Sequence, residues 1–186
     1  QSIAPWAKMY KKEYLLKNHL SFQNMPFGED VLFAAEAYLA HPVVALERSS
    51  GYFWLDNPAS ASHIELRHFP EGVVESSACY FARLLHGYPS QKGLVCYFAV
   101  KYYLWYLLQS GRGAPMGMMK QECESACRAM GRLFPGWERE TGLLREDRGV
   151  VKIAVFWGRV FKRCGCLTGL LMAYAKLPME KLWPRL

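Results

Sequence analysis

"GLVCYFAVKYYLWYLLQSG", residues 93–111, is the best candidate in the chain for a membrane span, and its reading decides the fold. The length suffices, since crossing a bilayer takes about 20 apolar residues. Lys101, however, stands at the middle of the run. A cation at that depth is costly without a partner, and no second span accompanies this one. The stretch is therefore read as the central core helix of a bundle.

The flanking sequence supports a bundle. Val73, Val74, Ser77, Tyr80, Phe81, Leu84 and Leu85 keep the 3.6-residue period of a helix with one buried face. So do Val150, Val151, Ile153, Ala154, Phe156, Trp157, Val160 and Phe161. Between them "PMGMMKQECESACRAMGRLF", residues 115–134, reads as a gentler amphipathic helix, with Met118, Met119 and Met130 assigned to the core. Turns at "HGYPSQKG", "SGRGAP" and "FPG" separate these segments. Four or five antiparallel helices are expected after Pro70.

Before Pro70 the elements are shorter. "KKEYLLKNH" (residues 11–19) is a short helix, "SFQNMPFG" (21–28) a loop, and "EDVLFAAEAYLAH" (29–41) a helix that Pro42 terminates. "VVALERSSGYFWL" (43–55) has the β-branched and aromatic content of two short strands around Ser49-Ser50-Gly51, and "DNPASASH" (56–63) is an exposed loop. The fold class expected is mainly α with a small α/β portion, divided into residues 1–70 and a helical domain over 71–186.

With 52% hydrophobic and 21% charged residues the chain has ample material for a core, which excludes a disordered segment. A formal charge of +7 favours an anionic partner. The basic residues of "RGVVKIAVFWGRVFKRCGC" and "KLPMEKLWPRL" are interleaved with Trp, Phe and Leu, which suits a helix lying on a membrane surface or one whose apolar side packs inward. Nucleic acid is not expected, because no recognition helix, zinc motif or aromatic sheet motif supports it. The six cysteines include no C-x-x-C pair and are expected as reduced, mostly buried thiols in a cytosolic protein. The chain opens at Gln1 in mid-pattern, so a piece of a longer polypeptide, or a processed one, is expected.

Glu29-Asp30 follows Gly28 and precedes the apolar Val31, Leu32 and Phe33. Taken alone this is the acidic first turn of a helix. In context it is one of five ordered elements: Trp6, Lys8, Tyr10 and Lys11; a short helix; Glu29 and Asp30 opening a helix with Phe33; an aromatic segment with Tyr52; and a Ser-rich loop with Ser60 and Ser62. Over residues 3 to about 65 this resembles the second half of the catalytic domain of bacterial family 2 glycosyltransferases with the GT-A fold. The basic residue that usually follows the aromatic pair is replaced by Leu55-Asp56. No Asp-x-Asp triplet and no nucleotide-binding β-α-β unit occur in these residues.

The resemblance implies the acceptor half of an inverting transferase, followed by a helical bundle extension. Asp30 would be the catalytic base, with Glu29 hydrogen-bonding the acceptor or its own loop. Trp6, Lys8 and Tyr52 would line the acceptor side. Trp6 suits the C–H face of a sugar but serves equally as a core residue, and Lys8 could face the diphosphate or solvent. His63 is a candidate metal ligand. A divalent metal, Mg2+ or Mn2+, is implied for the full-length enzyme and none for this chain, which alone is expected to be silent. The partners implied are a nucleotide-sugar donor and a glycan or lipid-linked acceptor, handled in the cytoplasm at the inner face of the membrane. The competing reading is a non-catalytic helical module that binds a protein or an anionic surface.

Overall fold

A helix enters where glycine permits the turn. In the computed structural model, which describes residues 5, 7–47, 51–53, 55, 68–111 and 113–137, the helices are α1 (Lys12–Lys17), α2 (Glu29–Leu39), α3 (Val73–Gly87), α4 (Lys92–Gly111) and α5 (Met116–Leu133), with a 3-10 turn at Pro89–Gln91. Gly28 precedes α2 with φ 69° and Gly72 precedes α3 with φ 73°, a left-handed conformation that costs glycine little. Pro115, which lacks an N–H to leave unsatisfied, precedes α5. α2 closes through hydrogen bonds from the Ala40 and His41 N–H groups to the Glu36 and Tyr38 carbonyls, with His41 at φ 54° just ahead of Pro42.

α4 is the hub, packing against α2, α3 and α5, while α3 also packs on α5. It is buried along nearly its whole length, from Val95 to Gly111. Lys101 is half-buried, and its ammonium donates to the Tyr97 hydroxyl at 3.1 Å while lying 5.2 Å from the centre of that ring. The cation that argued against a membrane span thus snorkels along a phenol. Among the described residues no helix is long and apolar enough to cross a membrane.

One hydrophobic core runs from Val31 and Leu32 of α2 through Phe81 and Leu84, along α4, to Met119, Phe134 and Trp137, so residues on both sides of Pro70 share it. Each large side chain buried there contributes about 1.5–3 kcal/mol relative to exposure. A smaller cluster of Leu20, Phe33 and Ala37, with Tyr10, Tyr14 and Leu15 against it, ties α1 to the other side of α2.

Three expectations need correction or fall outside these residues. The hairpin over 43–55 is not formed: the described residues there contain no strand, and Val43, Val44, Leu46, Phe53 and Leu55 are exposed. β-propensity reports fitness for a paired, half-buried surface, and among the described residues the segment pairs with no other strand. Met118 is 40% exposed, whereas Met119 and Met130 are core. The helix over 150–161, both basic aromatic stretches, Cys164, Cys166, Trp6 and His63 lie outside the described residues.

Candidate active site

The start of α2 is held by α4. The Phe27 carbonyl accepts a 2.8 Å hydrogen bond from the Tyr102 hydroxyl. The Phe27 ring lies 4.5 Å from the Trp105 ring and 5.1 Å, edge to face, from Tyr106. Gly28 is buried so closely that a β-carbon there would fall 2.7 Å from Tyr102 Cε2 and 2.9 Å from Trp105 Cζ3. Glycine is required at this point both for its φ and for the space. The Gly28 carbonyl then accepts the first helical hydrogen bond, from the Leu32 N–H at 3.1 Å.

Asp30 emerges from this fixed entry, half-buried. Its Oδ1 accepts the Val31 N–H at 2.7 Å. Burial raises the carboxyl above the ordinary aspartate value and the neighbouring Glu29 adds to the rise, against the lowering effect of the Val31 N–H. Of the two opposing influences expected at a buried helix start, burial prevails. Glu29 itself faces solvent.

Of the residues read from the sequence, Glu29 and Asp30 share one helical turn. Lys8 and Tyr52 stand on separate segments, before α1 and after α2. Lys8 is half-buried, and burial lowers its ammonium from the usual lysine value. Tyr52 is 48% exposed. Trp6 and His63 lie outside the described residues.

Two polar constellations were not foreseen. The first is the Tyr102–Trp105 clamp just described. Its sequence signal is the i, i+3 spacing of two aromatics on a buried helix, which names a shared face but not the loop it meets. The second joins α2 to α3. Glu36, only 6% exposed, accepts from the Tyr80 hydroxyl at 2.6 Å and from both terminal nitrogens of Arg83 at 2.9 Å. The Arg83 guanidinium also lies 4.7 Å from the centre of the Tyr80 ring. With three donors from α3 on one carboxylate of α2, the group acts as a tie between helices. A carboxylate inside the alanine-rich run 34–37 was its only trace in the sequence.

Among the described residues no group of three or more His, Cys, Asp or Glu side chains could hold a metal ion. Cys123 and Cys127 lie one turn apart on α5, but burial pushes their thiols up to about 12 and about 11, so both stay protonated. Compared with protein-family models, with curated proteins and with solved structures, the chain matches none.

Proposed function

We propose that this chain is the acceptor-side part of an inverting glycosyltransferase, working with a donor-binding half that lies outside these residues. The single observation that carries the reading is Asp30: a half-buried carboxylate of raised pKa on the first turn of a helix whose entry is held rigidly. In that role the carboxylate takes the hydroxyl proton of the acceptor as its oxygen bonds the anomeric carbon of a nucleotide sugar. The nucleoside diphosphate leaves from the opposite face. A general base works best when its pKa lies near the operating pH, and burial moves Asp30 in that direction. Lys8 is assigned to the departing diphosphate, Trp6, Tyr52 and Glu29 to the acceptor. The donor half would hold the divalent metal, with His63 as a contributing ligand. A glycan or lipid-linked acceptor at the inner face of the membrane suits the basic aromatic stretches.

The test is Asp30→Asn in the full-length polypeptide, with transfer from UDP- and GDP-hexoses followed by product mass. Loss of about a hundredfold or more, with a melting temperature no lower than the parent's, is the expected result for a general base. Undiminished transfer would remove Asp30 from the mechanism.

One observation favours the non-catalytic alternative. Val43, Val44, Leu46, Phe53 and Leu55 present apolar side chains to solvent, as a contact surface would. On that reading the chain binds a protein or an anionic membrane, and Asp30→Asn leaves its binding to phosphatidylglycerol vesicles unchanged.

A further inference from the structure

We propose that Tyr102 and Trp105 of α4 are positioning residues for Asp30, fixing the Phe27–Gly28 backbone from which α2 starts and so making the helical part of the chain an integral piece of the acceptor site. The inference rests on the reading of Asp30 as the base.

Three contacts meet at two consecutive residues. The Phe27 carbonyl is hydrogen-bonded by the Tyr102 hydroxyl, the Phe27 ring lies on the Trp105 indole, and the Gly28 α-carbon sits flush against both rings. The next backbone group, the Gly28 carbonyl, already belongs to α2 through Leu32. No free joint is therefore left between the clamp and the first helical turn, and Asp30 follows two residues after Gly28. The backbone that carries Asp30 is thus tied to the clamp. Misplacing a catalytic group by about 1 Å costs on the order of a hundredfold in rate, so a device that fixes the turn bears directly on chemistry. Burial is the main cause of the raised Asp30 carboxyl. Among the described residues, the titratable groups whose charge bears on this corner are Glu29 on α2 and the Tyr102 phenol on α4, which burial raises and the neighbouring Tyr103 raises further.

Aspartate occurs only at positions 30, 56 and 147, so the chain labelled with 13C at its aspartate carboxyls gives a spectrum simple enough to follow with pH. Asp30→Asn identifies the Asp30 resonance. Tyr102→Phe removes one oxygen and leaves the ring. The expected result is a downward shift of the Asp30 titration midpoint toward the ordinary aspartate range, as the loosened turn admits water. Tyr103→Phe is the control, since it deletes a buried hydroxyl of the same helix that faces Ser77 and Val74 rather than the α2 entry. It should lower stability while leaving the Asp30 midpoint in place. If Tyr102→Phe fails to fold, Trp105→Phe, which shortens the ring against Phe27 and Gly28, carries the test with the same expected direction. An unmoved midpoint in the folded variant, or an equal shift in Tyr103→Phe, overturns the proposal. The outcome is separable from the catalytic reading: an unmoved midpoint together with transfer abolished by Asp30→Asn removes the clamp and keeps the base. A shifted midpoint with transfer undiminished in Asp30→Asn does the reverse.

Discussion

Arg83 on α3 meets both carboxylate oxygens of Glu36 on α2, each at 2.9 Å, and the Tyr80 hydroxyl approaches the same carboxylate at 2.6 Å. Glu36 is buried while Arg83 is about half exposed, so the two partners are not equivalent. Removing the carboxylate frees an arginine that water can solvate. Removing the arginine strands a charge inside the protein.

Arg83→Met is accordingly expected to destabilise the fold by about 1.5–3 kcal/mol, the range for hydrogen bonds to charged groups. Arg83→Lys should recover only part of this, because an ammonium cannot make the paired contact. Urea unfolding of the three proteins at one pH measures both differences.

Alkaline pH should unfold the chain only above the range in which surface tyrosines ionise, about pH 10. Burial raises the phenols of Tyr80, Tyr102, Tyr103 and Tyr106, reinforced by Glu36 at Tyr80 and by Glu122 at Tyr106, and Tyr103 is pushed up to about 12. The folded chain thus holds these protons more tightly than the unfolded one. That contribution is complete below the unfolded phenol value of about 10 and is lost as pH climbs above it, at about 1.4 kcal/mol per pH unit for each such tyrosine. The urea midpoint should fall steeply above that pH, with the phenolate absorbance of these residues appearing together with unfolding rather than before it.

Asp30→Asn should leave the fold at least as stable as the parent at neutral pH, even as, on the proposed reading, it abolishes transfer. Its carboxyl is raised in the folded chain, so folding favours the protonated form. Below the ordinary aspartate range the group is neutral in both states and the variant gains nothing. Above that range the parent carries a partly buried charge that the amide does not. Thermal melts at neutral and at strongly acidic pH should show the advantage of the variant shrinking as pH falls.

Two glycines should respond differently to the same methyl group. Gly28→Ala combines a left-handed backbone with a clash against Tyr102 and Trp105, and a loss of about 1–3 kcal/mol is expected. At Gly111 the added carbon would meet the Met119 side chain, 2.6 Å from its sulfur, and a thioether end can turn aside. Gly111→Ala should cost clearly less, since alanine also favours the helix by about 1 kcal/mol. Denaturant midpoints of the two variants decide the ranking.

Thiol labelling separates the cysteines by burial. Cys79 is exposed and should react with a maleimide in the folded chain, while buried Cys96 and Cys123 should react only after denaturant is added and half-buried Cys127 only slowly before it. Mass spectrometry of the tryptic peptides reads Cys79 and Cys96 separately, and fragmentation of the shared peptide 121–128 distinguishes Cys123 from Cys127.

The start of α2 was readable because its grammar is local: a glycine, two acids and an apolar run occupy six residues. α3 and α5 were readable because a buried stripe repeats along each at helical spacing, and α4 because its apolar run is long and nearly continuous. The partners of those stripes were not. Nothing near Phe27 announces that Tyr102 will hydrogen-bond its carbonyl across 75 positions, and nothing near Glu36 announces Arg83. The segment after Pro42 failed for the complementary reason. Val43, Val44 and Tyr52 carry strand propensity in their own side chains, but a strand exists only where another backbone completes its ladder.

The phenols of this molecule also work as pins. Tyr14 reaches from α1 to the Ala37 carbonyl of α2, Tyr80 from α3 to Leu32 and Glu36, Tyr103 from α4 to Ser77 of α3, and Tyr106 from α4 to Glu122 of α5. Hydrocarbon faces allow neighbouring helices to slide, since one methyl group replaces another at little cost. A hydroxyl tip does not, because a slip of one turn, about 5.4 Å, separates it from its acceptor and leaves both buried and dry. The bundle is keyed as well as greased. Collapse can bring these helices together in many alignments, and only the one that seats every phenol tip is the native state.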